Sequence, residues 1–247
     1  MRLAVISDIH GNAYALEAVL DHLQNENFDF LINLGDIFYG PIAPRATYDL
    51  LQQHDIVTIR GNQDRQIYEA EGAEIDDNPS MKFVVDELSG QPMKWLETLP
   101  PEIQLTDDVY LCHGAPGNDM TYLLEDIESG QPVVRADGEI SSRLHGNSSS
   151  LILCGHTHIP RSVVLSRGQH IVNPGSVGLP AYCDDEPIPH KMENYSPHAS
   201  YATIENSGKG WGITQHKVPY DTDAAVRECH KLERQDWVNF LRTGRAE

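Results

Sequence analysis

Short apolar runs and helically spaced apolar positions alternate through the first third of the chain. Residues 2–7 form a near-continuous apolar run, which predicts a buried strand. Residues 12–24 follow with Leu16, Val19, Leu20 and Leu23 at helical spacing. Residues 28–34 are a second apolar run. Residues 44–53 read as a helix with Pro44 in its first turn, where a missing N–H costs nothing. Residues 55–60 are a third strand, rich in β-branched side chains. This β-α-β-α-β order calls for a parallel sheet covered by helices.

Residues 63–99 look mostly helical, with breaks near Pro79 and Pro92. Short strands then take over at 102–106, 109–112, 151–154, 161–165 and 170–172. A hairpin pairs 201–205 with 210–216 around Asn206-Ser207-Gly208. Residues 221–241 are expected as one terminal helix capped by Asp221. A parallel half followed by an antiparallel half implies an α/β fold with two sheets packed face to face and helices outside. The expected organisation is a single domain over 1–247, with 63–99 as a helical elaboration. The polar stretch 180–199 holds Pro187, Pro189 and Pro197 and reads as a loop or lid.

Composition narrows the function. With 247 residues, 40% of them apolar, the chain can bury a sizeable core. A net charge of −19 repels a phosphate backbone, so long nucleic acid is not an expected partner. No apolar stretch approaches the length of a membrane span, and Met1-Arg2 leads straight into the first strand without a signal peptide. The four cysteines form no C-x-x-C pair, which points to reduced thiols and a cytoplasmic setting. Cys112 and Cys154 each end an apolar run and are expected as packing residues.

Candidate chemistry is concentrated at the ends of the expected strands. Asp8-Ile9-His10 follows the first, Gly35-Asp36 the second and Gly61-Asn62-Gln63-Asp64 the third. Extended alternation would point residues 8 and 10 to one side, so a carboxylate and an imidazole can share a metal. An Asn carbonyl oxygen can serve a hard cation. Polar residues at the carboxyl ends of consecutive parallel strands converge on one crevice. His113-Gly114 and Gly155-His156-Thr157-His158 follow two of the later strands. One histidine at a strand end is ordinarily a hydrogen-bonded structural residue. Five such blocks at five strand ends are not explained that way.

The ordered set Asp8-x-His10, Gly35-Asp36, Gly61-Asn62-x-Asp64, His113 and Gly155-His156-x-His158 resembles the calcineurin-like metallophosphoesterase superfamily. Asn12 and Asn173-Pro174-Gly175-Ser176-Val177 extend the resemblance to its small bacterial and archaeal members. The resemblance implies a four-layer α/β/β/α sandwich. It also implies two divalent metal ions, with Asp8, His10 and His158 on the first, Asn62, His113 and His156 on the second, and Asp36 bridging. Manganese is the expected metal, and an N,O donor set also suits iron, zinc or nickel. The implied chemistry is attack of a metal-bridging hydroxide on phosphorus. Two divalent cations outweigh two carboxylates and one hydroxide, so the centre would attract a phosphate even within an acidic protein.

Two departures shape the substrate expectation. Most members of that superfamily carry histidine where this chain has Gln63, and an amide cannot deliver a proton near neutral pH. Asp64, which can orient that histidine, has no such task here. Small phosphodiesters, nucleotides among them, are therefore expected over monoesters. Phosphomonoesters, dinucleoside polyphosphates and a non-catalytic metal-binding module are the alternatives. His190 and His198 are candidate replacement acids by residue type. The second departure is Gly35-Asp36-Ile37-Phe38-Tyr39-Gly40, which lacks the arginine of the protein phosphatases. Gln63 and Arg65 are the candidate substrate contacts; Arg60 and Arg161 also lie near motifs, where surface ion pairing is the competing explanation.

Overall fold

The computed structural model describes residues 1–246. Its first part runs β1 (Arg2–Ile6), α1 (Ala13–Leu23), β2 (Phe30–Asn33), α2 (Pro44–Leu51), β3 (Ile56–Thr58), α3 (Asn62–Glu69), α4 (Ala73–Asp76), α5 (Pro79–Glu87) and α6 (Gln91–Thr98). The middle runs β4 (Glu102–Thr106), β5 (Val109–Cys112), β6 (Glu125–Asp126), β7 (Val133–Val134), α7 (Asp137–Arg143), β8 (Leu151–Leu153), β9 (Arg161–Val164) and β10 (His170–Asn173). The last part is β11 (Ala181–Asp184), β12 (His190–Glu193), β13 (Ala199–Asn206), β14 (Trp211–Val218), α8 (Thr222–Lys231) and α9 (Gln235–Thr243).

Two five-stranded sheets carry the fold, in the orders β14-β13-β1-β2-β3 and β4-β5-β8-β10-β9. Period-two alternation sorts their side chains into layers. Leu3 and Val5 of β1 face Val109, Leu111, Leu151 and Leu153 of the second sheet in one shared core. Ala4 and Ile6 face the other way, onto Leu16, Val19 and Leu23 of α1. Cys112, Ile152 and Cys154 pack outward against Ile140 and Leu144 at α7, so both cysteines are packing residues. The result is the four-layer α/β/β/α sandwich.

The expected split into a parallel and an antiparallel half is not what forms. Both sheets are mixed: β13 joins β1 antiparallel, while β5, β8 and β10 run parallel. The segment between β5 and β8 contains the seven-residue α7, which makes the crossover that parallel neighbours need. So short a helix gives little periodic signal. The expected terminal helix is likewise two. Asp221 does cap α8, accepting from the Ala224 amide at 2.9 Å. The chain then turns at Glu233, in the left-handed region at φ 56°, and α9 packs back on α8. The stretch 180–199 contains the antiparallel pair β11–β12, with Ala181 opposite Glu193. Among the described residues no helix is long and apolar enough to cross a membrane.

Candidate metal centre

The ends of β1, β2, β3, β5 and β8 meet at one point. Close approach there depends on glycine. A Cβ on Gly61 would lie 2.1 Å from Asp36 Oδ1, and one on Gly155 would lie 2.2 Å from Ser7 Oγ. The backbone is also unusual. Asp8, His10, Asp36, His156 and His158 all have positive φ, between 51° and 70°. Residues 8 and 10 therefore do not reach the site by strand alternation; β1 ends at Ile6 and a pair of left-handed turns aims them. Such conformations cost roughly 1 kcal/mol or more each and persist where surrounding bonds fix them. The Asp8 and His10 amides donate to the Gly35 and Asp36 carbonyls at 2.9 and 3.0 Å. Ser176 Oγ donates to the Asp8 carbonyl at 2.7 Å and accepts from the Leu179 amide at 2.8 Å. Asn173 Nδ2 holds the Gly155 carbonyl at 2.8 Å.

Two buried triads result, Asp8-His10-His158 and Asp36-His113-His156, each with its ligand atoms within 4.8 Å of one another. Asn62 is buried beside Asp36 on the wall of the same cavity. Backbone carbonyls fix the imidazole tautomers, because a carbonyl only accepts. His10, His113 and His158 donate from Nδ1 to Tyr39, Leu34 and Leu179 at 3.0, 2.8 and 2.6 Å, which leaves Nε2 as the nitrogen that could meet a metal. His156 donates from Nε2 to Met120 at 3.2 Å, leaving Nδ1.

The residues fit a pair of cations. Asp8 Oδ1, Asn62 Oδ1 and His113 Nε2 are buried without a hydrogen-bond partner. Each orphan of this kind costs about 1–3 kcal/mol unless something binds it. His10 Nε2 and His158 Nε2 lie 3.0 Å apart with both ring protons committed elsewhere, so two lone pairs face one another. Electrostatics prepare the ligands. Burial and the neighbouring His158 push His10 down to about 4, and burial and His113 do the same to His156. Burial opposes ionisation of Asp8 and Asp36, but the surrounding histidines more than offset it and hold both below the usual carboxylate range. At His113 burial is outweighed by Asp36, 3.4 Å from Nε2, and by Asp8, which raise the ring to about 10, so binding a cation at Nε2 releases a proton.

The remaining expected residues are divided. Gln63 lines the cavity, and its backbone N–H donates to Asp36 Oδ1 at 2.9 Å. Asp64 turns away from the cavity. Its two oxygens accept from the Gly61 and Ile37 amides at 2.9 Å each, tying the turn after β3 to the turn after β2. Burial and the Asp36 charge raise its carboxyl to about 7. Arg65 does not face the cavity: it grips both Asp119 oxygens at 2.9 and 3.0 Å and also pairs with Glu69. Arg60 shares Asp119, and Arg161 pairs with buried Glu125. His190 is buried behind Tyr122, whose hydroxyl it meets at 2.9 Å, and His198 is absent from the described cavity wall.

The cavity itself measures about 690 Å³. Its aromatic wall joins Tyr39, from the segment that follows Asp36, to Tyr182, Trp237 and Phe240, which belong to no motif and carry no sequence signal. Tyr182 also touches the centre directly: its hydroxyl donates to the His156 carbonyl at 3.1 Å and its ring meets His158 edge-on at 4.6 Å.

Two clustered, buried ligand sets at the carboxyl ends of a mixed α/β sandwich define a metallohydrolase of the paired-site type. More particularly, the chain belongs to the calcineurin-like phosphoesterase superfamily, whose domain model matches residues 1–188. It is thus a hydrolase acting on phosphate esters, within a divalent-metal-dependent family. It is 25% identical to an uncharacterised protein of Methanocaldococcus jannaschii, over 96% of this chain and 95% of that one. It is 26% identical to phosphodiesterase YfcE of Escherichia coli, over 73% of this chain and 81% of that one. A metallophosphoesterase from Sphaerobacter thermophilus shares the fold with a TM-score of 0.76 at 24% identity, over 99% of this chain and 100% of the other.

Proposed function

We propose that this chain hydrolyses small phosphodiesters in the cytoplasm, with Asp8, His10 and His158 holding one divalent cation, Asn62, His113 and His156 a second, and Asp36 between them. Manganese is the metal we assign for activity. When bound, the cations supply the Lewis acidity that makes water nucleophilic near neutral pH and offsets phosphoryl charge. The protein's own part is positional. Asp64 holds the two turns that present Asp36 and Asn62, and is a positioning residue. Gln63 offers an amide N–H to a phosphoryl or leaving oxygen but has no proton to transfer.

The observation that carries the preference for diesters is the cavity wall. Its histidines among the described residues are His10, His156 and His158, all assigned to metal. With Gln63 beside them, no imidazole remains to protonate a poor leaving group. Esters with a stable leaving alkoxide or aryloxide suffer least from that lack. Similarity to a protein named a phosphodiesterase supports the same direction.

The test is a panel of aryl diesters and monoesters assayed with added Mn²⁺. We expect bis(p-nitrophenyl) phosphate to be cleaved with a higher kcat/KM than p-nitrophenyl phosphate. Preference for the monoester, or no turnover of either, overturns the reading.

A further inference from the structure

The reading of the chain as a phosphodiesterase leaves open what the ester carries beyond its phosphorus. We propose that the cavity selects esters with a single phosphoryl group attached to a flat organic group without negative charge, such as a nucleoside, and rejects substrates bearing a second phosphate. This rests on the diesterase reading and narrows it.

The volume of about 690 Å³ is far larger than one phosphoryl group needs. The same cavity is lined by Tyr39, Leu179, Tyr182, Trp237 and Phe240, with the Tyr182 ring 4.6 Å from that of His158 and the Trp237 ring 6.0 Å from that of His10. Aromatic side chains on one wall favour a ring over a short polyol, because a ring recovers apolar contact across its whole face. Trp237, nearly buried, is packed against Arg234, whose guanidinium lies 5.5 Å from the ring centroid.

Charge decides the rest. A second phosphate needs a free cation, and the two cations in the wall are already committed. Arg234 donates to both Asp236 oxygens, at 2.9 and 2.6 Å, and to Ser80 at 2.5 Å. Arg135 pairs with Asp126 at 2.7 Å and donates to the Tyr122 carbonyl. No lysine lines the described wall. Asp184 and Glu186, exposed on the β11–β12 hairpin, also line it and form no ion pair among the described residues. Beyond the metal ligands the wall thus sets two arginines against three carboxylates, Asp184, Glu186 and Asp236. A second phosphate would enter a region where carboxylates outnumber arginines, and because Asp184 and Glu186 are exposed the repulsion should weaken as salt rises. This separates the candidate substrates: a nucleoside diester is accepted, a dinucleoside polyphosphate is not.

The experiment has a turnover arm and a binding arm, both with Mn²⁺-loaded protein at fixed ionic strength. In the first, kcat/KM for thymidine 5′-(p-nitrophenyl phosphate) is compared with that for the same compound carrying a 3′-phosphate. We expect at least a tenfold loss, with Asp184→Asn/Glu186→Gln narrowing the ratio. In the second, calorimetry compares thymidine 5′-monophosphate, thymidine 3′,5′-bisphosphate and glycerol 3-phosphate. The nucleoside monophosphate should bind at least tenfold tighter than either. Equal or better use of the doubly phosphorylated compounds, or equal binding of glycerol 3-phosphate, overturns the proposal. Failure to cleave bis(p-nitrophenyl) phosphate would instead strike the diesterase reading, and the calorimetric ranking still decides the pocket.

Discussion

The floor and the far wall of the cavity are built by opposite strategies. The floor is the candidate metal centre, reached through His10, Asp36, Asn62, His156 and His158 with Asp8 and His113 beneath them; each follows closely on a strand end, so a few neighbouring residues determine where each points. On the far wall, Tyr39 comes from the turn after β2, Tyr182 from the β11–β12 hairpin, and Trp237 and Phe240 from α9. These residues meet only because the chain turns at Glu233 and the hairpin folds over the centre. Metal ligands need fixed vectors within a few tenths of an ångström, and short turns braced by backbone bonds supply them. A wall that only has to be apolar and correctly spaced can be assembled from distant segments.

The sharpest way to break this comparison is to remove one floor residue. Asp36→Ala should lower kcat by on the order of 10³-fold, equivalent to about 4 kcal/mol, if the two proposed sites share this carboxylate. Metal analysis of the purified variant should show fewer than two ions per chain. Full occupancy with unimpaired turnover would detach the floor from the chemistry. Metal removal should also be visible without substrate. A ligand at a hundred times its Kd stabilises by about 2.7 kcal/mol, so chelation should lower Tm by roughly 5–10 °C in a chain of this size. An unchanged melting curve would show that the buried orphans Asp8 Oδ1, Asn62 Oδ1 and His113 Nε2 bind nothing in solution.

The same contrast explains what was legible in the sequence. The ligand blocks and the first three strands could be read because motif and local geometry coincide there. The route by which Asp8 and His10 point inward could not, since the left-handed turns at 8 and 10 are set by hydrogen bonds to residues 35 and 36. Ser176 lies within a motif, but its role depends on tertiary contacts: it bridges the Asp8 carbonyl and the Leu179 amide. Leu179 in turn accepts from His158. Ser176→Ala should therefore loosen two ligands at once and weaken metal binding about 10–100-fold. A metal titration reads this directly, and an unchanged affinity would reduce Ser176 to a turn residue.

Gln63 lies where floor and wall meet. Gln63→His would place a titratable ring at the position that now carries only an amide. General acid catalysis typically contributes 10²–10⁴-fold, and a ring not yet optimised for the task should recover about tenfold on poor leaving groups. The gain should shrink as leaving-group pKa falls, giving a shallower dependence of log kcat/KM on leaving-group pKa. A parallel shift for all substrates would mean that the variant changes binding and not proton transfer.

The smallest effect is expected at Arg65, and it bears on which surface the residue serves. Its guanidinium clamps both oxygens of Asp119, and the next residue, Met120, supplies the carbonyl that orients His156. Arg65 is thus joined to the floor through a loop and is absent from the described cavity wall. Arg60 also reaches Asp119, though at 3.4 Å, so the loop keeps one anchor when Arg65 is lost. Arg65→Ala should consequently lower metal affinity several-fold while leaving KM at saturating Mn²⁺ within about twofold, as expected for a half-exposed ion pair whose loss is partly covered by a neighbour. A large rise in KM at saturating metal would put Arg65 on the substrate after all, and would mean that the loop between β5 and β6 moves to bring it there.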